Sequence, residues 1–158
     1  MKAIIQRVLS ASVTVDGRVI SSIGRGVLVL GAVAPSDGEK QVESMAAKLL
    51  AMKIWDDDSG ARWKKNVADI EGEVLCVSQF TLLARTKKGT KPDFHAAMRP
   101  DDASRLFGHF VQSVKARYVA DRVHEGRFQA MMQVALVNDG PVTLELDTTV
   151  KQATGQAS

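Results

Sequence analysis

The sequence predicts an α+β domain with a largely antiparallel sheet and two main helices. Strand-like runs occupy the first and last parts of the 158-residue chain, and two segments between them place apolar residues at helical spacing. The order strands, helix, strand, helix, strands does not alternate regularly enough for a doubly wound parallel sheet. A sheet of this kind can close on itself and so lose its edges.

The first third of the chain is expected to form strands. An apolar segment at residues 4–9 precedes an alternating run at 12–15, and the dipeptide Asp16-Gly17 leads into a returning strand at 18–20. Asp-Gly between two such runs is typical of a type I′ hairpin, because both central residues need a positive φ angle. The apolar run at 26–33 predicts a further strand in the centre of the sheet.

Two amphipathic helices and a buried strand are predicted in the middle of the chain. Apolar residues recur every three or four positions across residues 42–54 and again across residues 106–118. Asp101 or Asp102 is the expected N-cap of the second helix. Between the helices, residues 73–80 form an apolar run that predicts a strand.

The end of the chain is expected to close the sheet. Residues 128–137 and 142–146 predict two strands around the turn sequence 138–141. We therefore expect one domain over residues 1–150, followed by a polar tail at residues 151–158.

Composition excludes several classes of protein. With 45% apolar and 25% charged residues, the chain is neither disordered nor collagen-like. The single Cys76 cannot form an internal disulfide, so a reduced, cytoplasmic location is expected. No apolar run approaches the roughly 20 residues of a membrane span, and the N-terminus lacks a signal-peptide pattern. A net charge of +3 is a mild basic bias, compatible with a nucleic-acid partner.

Familiar motifs of cofactor and metal chemistry do not occur in the sequence. It has no glycine-rich phosphate fingerprint, no HExxH and no Cys/His cluster at metal-ligand spacing, so neither a cofactor nor a metal is expected. His95, His109 and His124 are scattered, which favours structural or surface roles. Cys76 lies among Val and Leu, where burial raises the pKa of a thiol, and it is interpreted as a core residue.

Three short segments stand out, although each has an ordinary interpretation. Ser78-Gln79-Phe80-Thr81-Leu82 ends a hydrophobic strand in hydroxyl residues, which commonly hydrogen-bond nearby backbone. The basic residues Arg85, Lys87, Lys88 and Lys91 either form a solvated loop or contact phosphates. Asn138-Asp139-Gly140-Pro141-Val142-Thr143 is, taken alone, a hairpin turn.

Taken together, these segments resemble the D-aminoacyl-tRNA deacylase family. The resemblance begins at Met1-Lys2-Ala3-Ile4-Ile5-Gln6-Arg7-Val8 and covers nearly the whole chain. It continues through SQFTL at 78–82 and through Lys88-Gly89, Pro92, Phe94 and Ala96-Ala97, and it ends with NDGPVT at 138–143.

The resemblance implies a homodimer with an antiparallel, barrel-like α+β fold. It also implies hydrolysis of the ester that joins a D-amino acid to the terminal adenosine of tRNA, and removal of glycine mischarged onto alanine tRNA. Gly140-Pro141 would be a cis peptide that enters the partner subunit's pocket, with Arg7 helping to hold it. The implied catalytic segment is Ser78, Gln79, Phe80 and Thr81, and the implied tRNA contacts are Arg85, Lys87, Lys88 and Lys91.

The chemistry of the residues is compatible with that function. Rigid main-chain atoms beside the substrate Cα would exclude an L side chain by steric clash, whereas glycine would pass. The ribose 2′-OH beside the ester supplies a reactive hydroxyl at high effective molarity, and N–H groups near Phe80 and Thr81 would stabilise the oxyanion. Thr81 or Ser78 as nucleophile is the less favoured alternative, because no base is placed by sequence to activate either.

Two other functions remain open from the sequence. One is an editing domain that clears an L-amino acid, related to the domain appended to archaeal threonyl-tRNA synthetases. The other is a non-catalytic RNA-binding module that uses the basic loop.

Overall fold

The N-terminal strand organises the sheet in the computed structural model, which describes residues 1–149. Strand β1 (Lys2–Val15) pairs along one edge with β6 (Gln133–Asp147) over almost its whole length. Its other edge pairs with β2 (Arg18–Ile23) and with β3 (Gly26–Ala32). All three pairings are antiparallel, so the largely antiparallel sheet predicted from the sequence is confirmed.

Two parallel pairings complete the sheet. Strand β4 (Glu73–Ser78) lies parallel to β3, and the short strand β5 (Val123–Glu125) lies parallel to β4. Parallel neighbours need a long crossover, and helices α1 (Glu39–Ala51) and α2 (Pro100–Arg117) lie in the two connections.

The sheet is nearly closed. Strands β2 and β5 lie at the two ends of the strand order, and the Ser21 hydroxyl of β2 donates a hydrogen bond to the Glu125 carbonyl of β5. The α+β fold with two helices and a barrel-like sheet is therefore confirmed. Neither helix within residues 1–149 combines the length and apolar character that crossing a membrane requires.

The central strands are buried on both faces, as predicted for residues 26–33. Val29 and Cys76 pack on the side of the helices, where Phe110 of α2 is fully buried. Leu28 and Leu75 belong to a second cluster inside the curve of the sheet. These alternating side chains divide the core into two layers with the sheet between them.

The hairpin turn predicted at Asp16-Gly17 is confirmed. Both residues have a positive φ, 49° and 75°, as a type I′ hairpin requires.

The beginning of the second helix differs from the sequence prediction. Helix α2 begins two or three residues earlier than expected, with Arg99 as N-cap and Pro100 at the first helical position, so the expectation of an Asp101 or Asp102 cap is wrong. Proline is favoured at that position, and acidic residues in the first turn interact favourably with the helix dipole.

The expectation of two closing strands around a hairpin turn is wrong. Residues 133–147 form the single strand β6, whereas residues 128–132 precede it without strand structure. Gln6 pairs with Thr143 and Val8 pairs with Asn138, so residues 139–142 leave the ladder as a loop without reversing the chain. The sequence pattern of a turn therefore marks a loop within one strand. The polar tail expected at residues 151–158 lies outside the described residues.

A close backbone approach at Gly26 provides a test of the β3–β4 pairing. A Cβ atom there would lie 1.8 Å from the Glu73 carbonyl oxygen, so the two strands would have to separate. We expect Gly26→Ala to lower the free energy of unfolding by roughly 3 kcal/mol. Gly108→Ala in α2 is the matched control, because a Cβ there meets nothing within 4 Å; it should raise stability by about 1 kcal/mol. Urea denaturation of both variants checks the prediction.

Candidate active site

A large cavity opens where β3 and β4 end. It has a volume of about 640 Å³, and Ala32 and Ser78 lie at the carboxyl ends of these two parallel strands. Phe107 of α2 and the segment 128–132 form further walls. Most of the lining side chains are apolar, so the cavity is suited to a small molecule with an apolar part.

The segment 78–82 places main-chain donors beside this cavity. Ser78, Gln79 and Phe80 line it, and the Gln79 N–H donates to the Gly31 carbonyl at 2.7 Å. A 3₁₀ helix, Phe80–Leu83, follows directly. The first N–H groups of such a helix precede any intrahelical acceptor, so those of Phe80 and Thr81 remain available to a ligand.

The hydroxyl groups of this segment lack a neighbouring base. Thr81 Oγ1 accepts a hydrogen bond from the Gln79 side-chain amide, and Thr81 is not among the cavity-lining residues. Within residues 1–149, no hydrogen bond connects Ser78 or Thr81 to a histidine or a carboxylate. Neither hydroxyl is therefore activated as a nucleophile in the manner of a catalytic triad.

The wall formed by residues 128–132 was missed by the sequence analysis. Phe128, Gln129 and Met131 line the cavity, and Met131 is 90% exposed. Gln129 has a φ of 60°, which breaks any regular strand. The only sequence signal is the pair Met131-Met132, because flexible thioether side chains suit surfaces that accommodate different ligands.

The loop at 138–143 is closed by its own side chains. Asn138 Oδ1 accepts from the Val142 N–H at 2.9 Å, and Asn138 Nδ2 donates to Thr143 Oγ1 at 3.2 Å. The Gly140–Pro141 peptide bond is cis, and both residues are exposed. The Asn138 side chain therefore joins the two ends of the loop, and the Gly140-Pro141 pair lies at the surface.

Arg7 lies directly beneath this loop. Its Nε donates to the Asp139 carbonyl at 3.0 Å, and its Nη1 donates to the Ile54 carbonyl at 2.6 Å. The Asp139 carboxylate lies 3.4 Å from Nε. Gly140 has a φ of 134°, and a Cβ there would lie 3.2 Å from Arg7 Nη2. Within residues 1–149, neither Arg7 nor the Gly140-Pro141 pair lines the cavity.

The basic loop lies on the surface next to the 3₁₀ helix. Two backbone hydrogen bonds of 2.9 Å join Arg85 to Asp93 and fix the base of the loop, while Lys87, Lys88 and Lys91 are exposed. Hydrogen bonding from His95 lowers the pKa of Asp93. The ring centroids of Phe80, which lines the cavity, and Phe94, which follows the basic loop, lie 5.1 Å apart.

The remaining ionisable candidates lie away from the cavity. Burial raises the pKa of Cys76 to about 12, in agreement with its interpretation as a core residue. His109 Nε2 lies 2.9 Å from Glu43 Oε1. Together with Glu39 they form a group whose ligand atoms lie within 4.8 Å of one another and can hold a metal ion. Sequence spacing could not predict this group, because Glu39 and Glu43 belong to α1 and His109 belongs to α2. None of the three residues lines the cavity.

Comparison with known proteins gives consistent matches along the chain. The family model described as D-Tyr-tRNA(Tyr) deacylase matches residues 4–147. Over 94% of this chain, the identity is 47% to the D-aminoacyl-tRNA deacylase 1 of Mus musculus, of which 70% is covered. The D-aminoacyl-tRNA deacylase of Kluyveromyces lactis is 45% identical, with 94% of this chain and 99% of that protein covered.

A solved structure has a similar fold. The c-Myc DNA Unwinding Element Binding Protein superimposes with a TM-score of 0.89 and 46% sequence identity. The match covers 93% of this chain and 98% of that one.

Proposed function

Because this chain belongs to the D-Tyr-tRNA(Tyr) deacylase family, we propose that it hydrolyses the ester joining a D-amino acid to the terminal adenosine of tRNA. The products are free D-amino acid and tRNA, and no cofactor takes part in the proposed reaction. The observation that carries the proposal is the family match over residues 4–147, which includes both the cavity segment at 78–82 and the loop at 138–143. The same reaction would remove glycine mischarged onto alanine tRNA.

The cavity supports this substrate. Its volume of about 640 Å³ lies within the roughly 300–1,000 Å³ of small-molecule sites, which accommodates an aminoacylated adenosine. The mostly apolar walls suit an aromatic or aliphatic side chain and a base. Ser78 and Gln79 are polar residues of the lining, and the ester would be held beside them and Phe80.

We assign the chemistry to the main chain of the protein and to the RNA. The N–H groups of Phe80 and Thr81 would bind the carbonyl oxygen of the ester and stabilise the negative charge that develops on it. The 2′-OH of the terminal ribose would assist the reaction, because it is already held next to the ester. This assignment follows from the absence of a base at the hydroxyls of Ser78 and Thr81 within the described residues.

A second subunit would complete the site. Gly140 and Pro141 are exposed and do not line the cavity of their own chain, so we infer that they enter the cavity of a partner in a homodimer. Their main-chain carbonyls would lie beside the substrate Cα and exclude an L side chain. Arg7 would act as a positioning residue, since it binds the Asp139 carbonyl at the base of the loop.

The basic loop would bind the tRNA backbone. Arg85, Lys87, Lys88 and Lys91 are exposed and lie on the segment that follows the 3₁₀ helix. Phosphate contacts of this kind give affinity without sequence preference.

A deacylation assay with D-tyrosyl-, L-tyrosyl- and glycyl-tRNA tests the function. We expect release of D-tyrosine and glycine and little release of L-tyrosine. Faster release of L-tyrosine would indicate an L-amino-acid editing domain. Binding of tRNA with every ester left intact would indicate a non-catalytic RNA-binding module.

The assignment of chemistry predicts unequal effects of two hydroxyl deletions. Thr81→Ala should retain activity within about tenfold of the parent, because its hydroxyl only accepts a hydrogen bond from Gln79. A D-aminoacyl-tRNA with a 2′-deoxy terminal adenosine should react at least about a hundredfold more slowly. Single-turnover rates at saturating enzyme measure both. A Thr81→Ala variant that binds tRNA normally and is inactive would contradict the RNA-assisted mechanism.

The two-subunit site predicts complementation between inactive variants. Gly140→Ala should be inactive, because a Cβ would lie 2.9 Å from Val142 Cγ2 and the backbone φ of 134° disfavours any L residue. Gly60→Ala is the matched control, since Gly60 has a φ of 82° and open space around it. Ala97→Trp would fill the cavity and should also be inactive.

Refolding Gly140→Ala and Ala97→Trp together tests whether each site is built from two chains. Half of the dimers are then mixed, and each has one intact cavity facing one intact loop, so about a quarter of the parent activity should return. Light scattering should report a dimer for every variant. Inactive mixtures of well-folded dimers would show that each site is built from one chain.

The basic loop predicts a change in salt dependence. Lys87→Glu combined with Lys88→Glu should weaken tRNA binding and reduce the slope of log affinity against log salt by about one to two. Lys53→Glu combined with Lys48→Glu on and after α1 is the control, with the same change in charge. An unchanged slope in the loop variant would assign the loop to the solvated surface.

A further inference from the structure

A second cavity adjoins the first one. Its volume is about 470 Å³, and it shares Ala97 and Met98 with the first cavity as a common wall. The chemistry of its lining is different, because half of its lining residues are charged. The lining is formed by Pro35, Asp37, Ala97, Met98, Arg99, Asp102, Arg105 and Leu106.

Two arginines dominate the electrostatics of this second cavity. Arg99 is the N-cap of α2 and Arg105 lies six residues further on, and both line this cavity near the positive end of the helix. Within residues 1–149, neither guanidinium forms an ion pair. Their N–H donors are therefore open to an anion, for which the planar guanidinium is well shaped.

The acidic residues of the lining do not cancel this charge. Asp37 is 7% exposed, and its two carboxylate oxygens are bound to the Met1 amino group at 2.6 Å and to the Ala34 N–H at 2.7 Å. Asp102 is the remaining carboxylate of the lining, which contains two guanidinium groups. The cavity thus has an excess of one positive charge, and helix α2 begins without a side-chain cap.

The order of the two cavities corresponds to the order of groups at an aminoacylated 3′ end. An apolar amino-acid side chain and an adenosine are uncharged and suit the first cavity, whereas the next group along the RNA is an anionic phosphodiester. We propose that Arg99 and Arg105 bind the phosphate on the 5′ side of the terminal adenosine. This inference rests on the proposed function, and it assigns to the second cavity a part of the substrate that the first cavity does not hold.

A pair of uncleavable analogues tests the phosphate site without relying on hydrolysis. The probes are adenosine carrying D-tyrosine in amide linkage at the 3′ position, with and without a 5′-phosphate. In calorimetric titrations, the phosphate should tighten binding to the wild-type protein about tenfold. The gain should vanish in the Arg99→Ala, Arg105→Ala double variant and persist in part when both arginines become lysine. Arg117→Ala, at the other end of α2, is the matched control and should keep the full gain.

The alternative outcomes separate this inference from the proposed function. Equal affinities of the wild-type protein for the two analogues, or binding of neither, would overturn the phosphate site. An equal loss of affinity for both analogues in the double variant would also overturn the phosphate site, because the arginines would then act on the fold or on the first cavity. Hydrolysis of D-tyrosyl-tRNA is measured in parallel. A preference for the phosphorylated analogue without hydrolysis supports the phosphate site and contradicts the proposed function. Hydrolysis without that preference supports the proposed function and overturns the phosphate site.

Discussion

The contact of Arg7 with the Asp139 carbonyl holds in place the loop on which the proposed site depends. Strands β1 and β6 pair along almost their whole length, and residues 139–142 leave the ladder opposite Arg7. Such a loop would ordinarily have few contacts and be mobile. Here one guanidinium joins it to Ile54, and the Asn138 side chain closes it from within. The geometry of a surface loop is therefore set by partly buried groups beneath it.

Topology explains why the cavity lies where it does. Because β3 and β4 are parallel, their carboxyl ends meet at the same edge of the sheet, and the chain must leave both strands there. Ala32 and Ser78 are consequently neighbours of the cavity, although 46 positions separate them in sequence. The 3₁₀ helix after Ser78 then presents main-chain donors at the cavity edge. An antiparallel pairing of these strands would have placed the two ends on opposite sides.

The sequence predicted the elements of the fold better than their connections. Alternation and helical spacing identified β1 to β4 and both helices, since burial of one or both faces imposes those patterns. The loop at 138–141 has the composition of a hairpin turn, and only pairing of both flanks with β1 shows that the strand continues. Strand β5 has three residues, too few for a periodic signal. Met131 and the two arginines of the second cavity do not belong to a sequence motif. They line cavities only because the fold brings them next to residues that are distant in sequence.

In the proposed function, configuration and side-chain type are controlled by different parts of the molecule. The walls of the first cavity are apolar and include the highly exposed Met131, so they discriminate weakly among side chains; one methylene is worth only about 1–3 kcal/mol. A fixed backbone beside the Cα acts differently, since it rejects any L residue whatever its side chain and makes no demand on the D side chain. Glycine, which has no Cβ, escapes such a filter. Broad tolerance of D-amino acids and acceptance of glycine are thus two consequences of one steric device.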